Sequence, residues 1–146
     1  MSIPHENILV TLIPDDYHIR FAGNDGDGRQ IFVTPDLNYD SKQKQTTDYL
    51  VVYRWESDGD FIGADVTKIG VRGQYENESA AKAHREIEQS ISGFTPGTIR
   101  VRPCQFFHDG VEFGFIPRTD DDFTVVEVMP GNCLCFLEPF DGEYDT

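Results

Sequence analysis

Apolar and polar residues alternate with a period of two along most of this chain, the mark of half-buried β-strands. An apolar run at 8–13 is closed by Pro14-Asp15-Asp16. Over 17–21, Tyr17, Ile19 and Phe21 share one face, and a glycine-rich turn at 23–28 leads into a strand at 30–34 that stops at Pro35. Residues 49–55 and 61–69 flank Asp58-Gly59, the dipeptide that favours a two-residue hairpin turn. In that register Trp55 faces Ile62, and Val51, Tyr53 and Trp55 lie on one face. Beyond Pro96-Gly97, residues 98–102 alternate with Ile99 and Val101 on one side and Arg100 and Arg102 on the other. Two more hairpins follow. The first turns at Asp109-Gly110, pairing Phe106 with Phe113 and Cys104 with Phe115. The second turns at Pro130-Gly131-Asn132, between strands at 123–129 and 133–137.

The pattern breaks twice. Residues 36–48 carry almost no apolar side chains and read as an exposed, mobile loop. Residues 77–92 change period: Ala80, Ala83 or His84, Ile87 and Ile91 recur every three to four positions, predicting an amphipathic helix capped by Asn77 and ended by Gly93. The expected fold is a single α+β domain over 1–146. About eight mostly antiparallel strands form a twisted sheet or partial barrel, with the one helix packed on it. An exposed sheet edge would be covered in a homodimer.

Composition sharpens this picture. The 26 acidic residues against 12 Lys and Arg give a net charge of −14, the wrong sign for holding a nucleic-acid backbone. No apolar stretch approaches the length of a membrane span, and the first residues lack a basic leader, so the expected location is the cytoplasm. An odd cysteine count, three, is a poor disulfide framework. Cys133 and Cys135 share a strand face, as do Cys104 and His108. Together they could offer Cys₃His to zinc, but their spacing and apolar strands favour buried thiols, and no metal is expected. Asp25-Gly26-Asp27-Gly28 lacks the flanking carboxylates of a calcium loop. No phosphate-binding loop, dinucleotide fingerprint or nucleophile elbow occurs, so no cofactor is expected and an enzyme is the less favoured class.

Two functions follow. From Thr119 onward the chain holds eight acids and no Lys or Arg. A one-sign field of this kind steers a basic partner, which suggests a non-enzymatic acidic module of the inhibitor or immunity type. Its contacts would be Asp120, Asp121, Asp122, Asp141 and Glu143, with Phe140 and Tyr144 as aromatic anchors. The alternative is a small-ligand or enzymatic domain with a cavity between sheet and helix. That cavity would be lined by Tyr53, Trp55, Phe106 and Phe113, with Arg100, Arg102 and His108 as polar contacts.

Overall fold

The alternating segments pair antiparallel into three sheets, joined by one α-helix. The structure, a computed structural model, describes residues 4–146; residues 1–3, part of the segment read above for a leader, lie outside the described residues. A two-stranded ribbon joins β1 (Val10–Leu12) to β7 (Ile99–Val101). The first five-stranded sheet has the order β5-β4-β3-β2-β6. Its members are β2 (Phe21–Asn24), β3 (Gln30–Asp40), β4 (Gln45–Trp55), β5 (Phe61–Val71) and the short β6 (Thr95–Pro96). The second has the order β12-β11-β10-β9-β8. It contains β8 (Cys104–His108), β9 (Val111–Asp120), β10 (Phe123–Met129), β11 (Cys135–Leu137) and β12 (Tyr144–Asp145).

The single eight-stranded sheet or partial barrel expected from the pattern is therefore replaced by three sheets. Alternation fixes which residues face inward along a strand, but it carries no information on which strands share a sheet.

The main core lies between the two larger sheets. Phe32, Tyr49, Val51, Tyr53 and Trp55 from one meet Phe113, Phe115, Val126, Val128 and Phe136 from the other, and the β1–β7 ribbon adds Val10, Leu12, Ile99 and Val101. Phe115 packs edge-on against Phe32, Tyr53 and Trp55, the orientation that sets ring edges against ring faces. The indole N–H of Trp55 donates to the Arg102 carbonyl at 3.1 Å, so its one polar atom is satisfied in the apolar layer.

The opposite face of the first sheet holds a second, smaller core of Ile31, Val33, Leu50 and Val52. Helix α1 (Asn77–Gln89) covers it through Ile87, with Ile91 and Phe94 just beyond the helix, and Phe94 stacks on Phe21 at 4.0 Å. No residue of α1 is fully buried. The helix is shorter than the expected 77–92, and Glu76 rather than Asn77 precedes its first turn, with no side-chain cap. Gly93 adopts the left-handed conformation with φ 68°, a few residues past the helix end.

The hairpin at Asp109-Gly110 has the predicted register, with Phe106 opposite Phe113 and Cys104 opposite Phe115. Trp55 pairs with Phe61 instead of Ile62, because the ladder is irregular between Arg54 and Trp55 and the connection spans Glu56 to Asp60. Residues 17–20 are not strand; β2 begins at Phe21. Cys133 lies in the turn before β11.

The largest correction concerns residues 36–48. They are not a loop: β3 and β4 pair residue for residue from Gln30↔Trp55 to Asp40↔Gln45, and only four residues turn between them. Backbone pairing holds this polar end together, and hydropathy does not register it.

Candidate functional site: a cleft beside the helix and an acidic sheet face

The polar end of the β3–β4 hairpin creates a cleft. Strand β2 ends opposite Val33, so from Thr34 onward β3 has no strand neighbour on that side. The helix is anchored at its C-terminal end by Ile87, Ile91 and Phe94, and its earlier residues Ala80, Ala81, His84 and Arg85 form one wall of an open cleft of about 1090 Å³. Tyr17, His18 and Arg20 form another wall, and Asp36, Asp48, Arg72, Tyr75, Cys133 and Leu134 complete it.

Asp36 is 5% exposed, although it sits in one of the most polar stretches of the chain. Its Oδ1 accepts the backbone N–H of Leu37 at 2.8 Å and that of Gly131 at 2.9 Å, which ties β3 to the turn before β11. Its Oδ2 is buried and has no hydrogen-bond partner. Burial pushes the carboxyl up to about 6, and the two N–H groups only partly offset this. Nearby Cys133 is also raised, by burial and then by the Asp36 charge, with Arg72 opposing.

Asp48 has the reverse balance. It sits partly buried on the helix side, where Arg72 pairs with its Oδ1 at 2.6 Å and the Tyr75 hydroxyl donates to Oδ2 at 2.6 Å. Desolvation raises its pKa, but these partners outweigh it and the carboxyl stays below the ordinary range. Arg72 is thereby neutralised. Among the described residues, no carboxylate pairs with Arg20 or Arg85, both exposed, an imbalance in a chain with twice as many acids as bases.

None of the residues expected to line a cavity lines this cleft. Tyr53, Trp55 and Phe113 are fully buried between the two sheets, and Phe106 packs against the same core. Arg102 binds Asp60 at 3.0 Å and the Glu6 carbonyl at 3.2 Å. Arg100 is exposed on the ribbon, and His108 approaches Asp109 at 3.4 Å. The aromatics share a face because they are core, and that face looks away from the helix. The sequence reading missed Asp36. Tyr39, Thr46, Thr47 and Tyr49 are strand formers around it, and Pro35 marks an edge; these were the available signals.

The acidic candidates divide in the same way. Asp120, Asp121 and Asp122 are exposed at the β9–β10 turn, and Asp141 and Glu143 are exposed near β12. Phe140 is 3% exposed and belongs to the core. Tyr144 is partly buried against Phe136, and its hydroxyl donates to Asp15 Oδ2. Neither aromatic is presented to a partner.

Two other aromatics are exposed. Register places Phe107, Glu112, Ile116, Arg118, Phe123, Val125, Glu127, Cys135 and Asp145 on the outer face of the second sheet. Phe107 is 66% and Phe123 51% exposed. Arg118 is held by Glu112 at 3.6 Å and Glu127 at 3.4 Å.

The three cysteines are free thiols. Among the described residues, no three His, Cys, Asp or Glu side chains cluster as a metal site, and no helix is long and apolar enough to cross a membrane. No protein-family model matches the chain, and no curated protein or solved structure is significantly similar to it.

Proposed function

We propose that this protein is a non-enzymatic binding module that recognises a basic protein partner through the outer face of its second sheet. The observation that carries this reading is one sheet face that exposes an aromatic at each end, Phe107 opposite Glu112 and Phe123 opposite Asp120, and carries a surplus of carboxylates. Its cation, Arg118, is already occupied by Glu112 and Glu127, and Asp120, Asp121 and Asp122 extend the negative charge to the hairpin tip. Aromatic anchors within a charged rim suit a binding surface, and the field of a chain at −14 accelerates encounter with a positive one. The test is capture from native lysate on the immobilised chain, beside a variant carrying Asp120→Asn, Asp121→Asn, Asp122→Asn and Phe123→Ser. A single basic protein should be retained by the wild type, released as salt rises, and lost with the variant. Equal retention by both, or no salt-sensitive capture, overturns the reading.

A second reading, a small-ligand site beside the helix, is favoured by one observation: an open cleft of about 1090 Å³ between α1 and the β3 edge, lined by Arg20 and Arg85. The residues that support it are those of the β3 edge and of α1, in place of the aromatic set expected from the sequence.

A further inference from the structure

We propose that the partner docks by adding an extended segment antiparallel to β8, one in which basic and apolar residues alternate. This rests on the first reading, a basic partner held by the second sheet, and specifies how that sheet is engaged. An unpaired strand edge is a template for another chain, and proteins blunt it by shortness, proline, charge, bulges or cover. The other edges of this fold carry such devices. Strands β6 and β12 are two residues long and contain Pro96 and Asp145. The β5 ladder shifts register near both ends, and its Asp65 and Lys68 are exposed. In the ribbon, the Thr11 N–H donates to the Phe140 carbonyl, and the Gln30 side chain occupies both backbone groups of Arg100. Beyond the end of β2, β3 has Pro35 and a Leu37 N–H taken by Asp36. Strand β8 differs. It ends its sheet, pairs regularly on its one side, and runs Cys104-Gln105-Phe106-Phe107-His108, with no proline, glycine, carboxylate, lysine or arginine.

The turn decides which groups are free. Asp109 and Gly110 have φ of 51° and 77°, the two positive angles of a type I′ hairpin. The flanking pair, His108 and Val111, exchanges both backbone hydrogen bonds, as do Phe106 with Phe113 and Cys104 with Phe115. Gln105 and Phe107 therefore turn their N–H and C=O outward, and among the described residues none of these four groups bonds elsewhere.

An added strand presents alternate side chains to two unlike surfaces. Inward lies the margin of the main core, where β5 meets β8 and Phe61 stacks on Phe106 at 6.1 Å. Phe61, Ala64, Val66, Phe106 and Val111 pack against the core there but stay only partly buried, so apolar partner residues would complete their cover. Outward lie Gln105 and Phe107, whose ring is 66% exposed and offers its face to a cation. Asp109 is exposed at the hairpin end, and Arg118 on the same sheet face is already held by Glu112 and Glu127. Charge also separates a basic partner from a second copy, since pairing two chains of −14 sets like fields together.

The test is a nitrogen–proton correlation titration of the full chain with a heptapeptide of alternating arginine and valine. Binding should shift the Gln105 and Phe107 amides and slow their exchange with water at least tenfold. In an antiparallel pair the arginine N–H groups point at β8 and the valine N–H groups point away. N-methylation at the arginines should abolish binding, and at the valines leave it within about twofold. Gln105→Pro removes one outward N–H and no ladder bond, as proline on an edge strand does, and should weaken the peptide at least tenfold. Should that variant lose its dispersed spectrum, Phe107→Lys decides, because it sets a cation against the peptide. Equal affinity for the two methylated peptides puts the contact on the sheet face, which overturns strand addition and leaves the first reading. Equal binding of a glutamate–valine heptapeptide overturns the basic class of partner. A dimer seen by sedimentation without peptide, and broken by Gln105→Pro, gives the edge to a second copy and overturns the proposal. Silence of both amides toward the arginine peptide overturns the strand, while lysate capture decides the first reading separately.

Discussion

Asp36 makes the fold more stable in mild acid than at neutral pH. Its carboxyl titrates at about 6 in the folded chain against an ordinary 3.8, burial being the cause. Between those values the folded state holds a proton that the unfolded chain has lost, so stability falls as pH rises through the window. At about 1.4 kcal/mol per pH unit, the full penalty above pH 6 is about 3 kcal/mol. The side chain is buried, so bulk solvent does not screen it away. Two other carboxyls have the opposite sign but act lower on the scale. Asp15 is held at about 2: desolvation is outweighed by the Tyr144 hydroxyl and by the N–H groups of Tyr17, Ile19 and His18. Asp48 is also lowered, by Arg72 and Tyr75 against desolvation. Their contributions are complete above the ordinary 3.8 and are lost only as pH falls below it. The net charge of −14 also favours mild acid, so the assay is differential. Urea unfolding is measured between pH 5 and 7.5 for the wild type and for Asp36→Asn, which keeps the Oδ1 acceptor and removes the charge. About half of the penalty, roughly 1.5 kcal/mol, lies within that range, and the wild type should gain this much more than the variant on acidification. Parallel curves would refute the burial argument.

Three further outcomes are expected. Phe113→Ala should cost about 3–5 kcal/mol in chemical denaturation, because the ring is fully buried among Tyr49, Phe106 and neighbouring core residues; a loss below about 1 kcal/mol would contradict the core assignment. Gly114→Ala should cost about 3 kcal/mol or more, since Gly114 has φ 132° and a Cβ there would overlap the Cys104 carbonyl. An unchanged melting temperature would show that the strand can shift. Converting Asp120, Asp121 and Asp122 together to Asn should move the melting midpoint by only a degree or two, because exposed charges contribute little; collapse of the fold would make that turn structural.

The hairpin at Asp109-Gly110 was legible because turn chemistry and alternation agree on one register, and the structure follows it to the residue. The face shared by Val51, Tyr53 and Trp55 was legible for the same reason. Assembly of strands into sheets was not, because pairings such as Val10 with Val101 join distant parts of the chain. The cleft was hidden for a related reason. Asp36 is one of 26 acids, and what sets it apart is contact with Gly131, 95 positions away. The acidic end was half legible: exposed carboxylates declare themselves by density, but Phe140 and Phe123 are both phenylalanines beside aspartates. Only strand register and packing separate the buried ring from the exposed one.

The carboxylate of Asp36 also decides how this protein keeps its own company. Strand β3 runs past the end of β2 with one side open, the arrangement on which chains in a crowded solution zip together into aggregates. Proline at 35 withholds a donor, and the bond from Leu37 N–H to Asp36 Oδ1 withdraws the next one. A side chain too short to hold that N–H would restore a template for foreign strands. Selection against clumping would then act on residue 36 through the reach of its side chain.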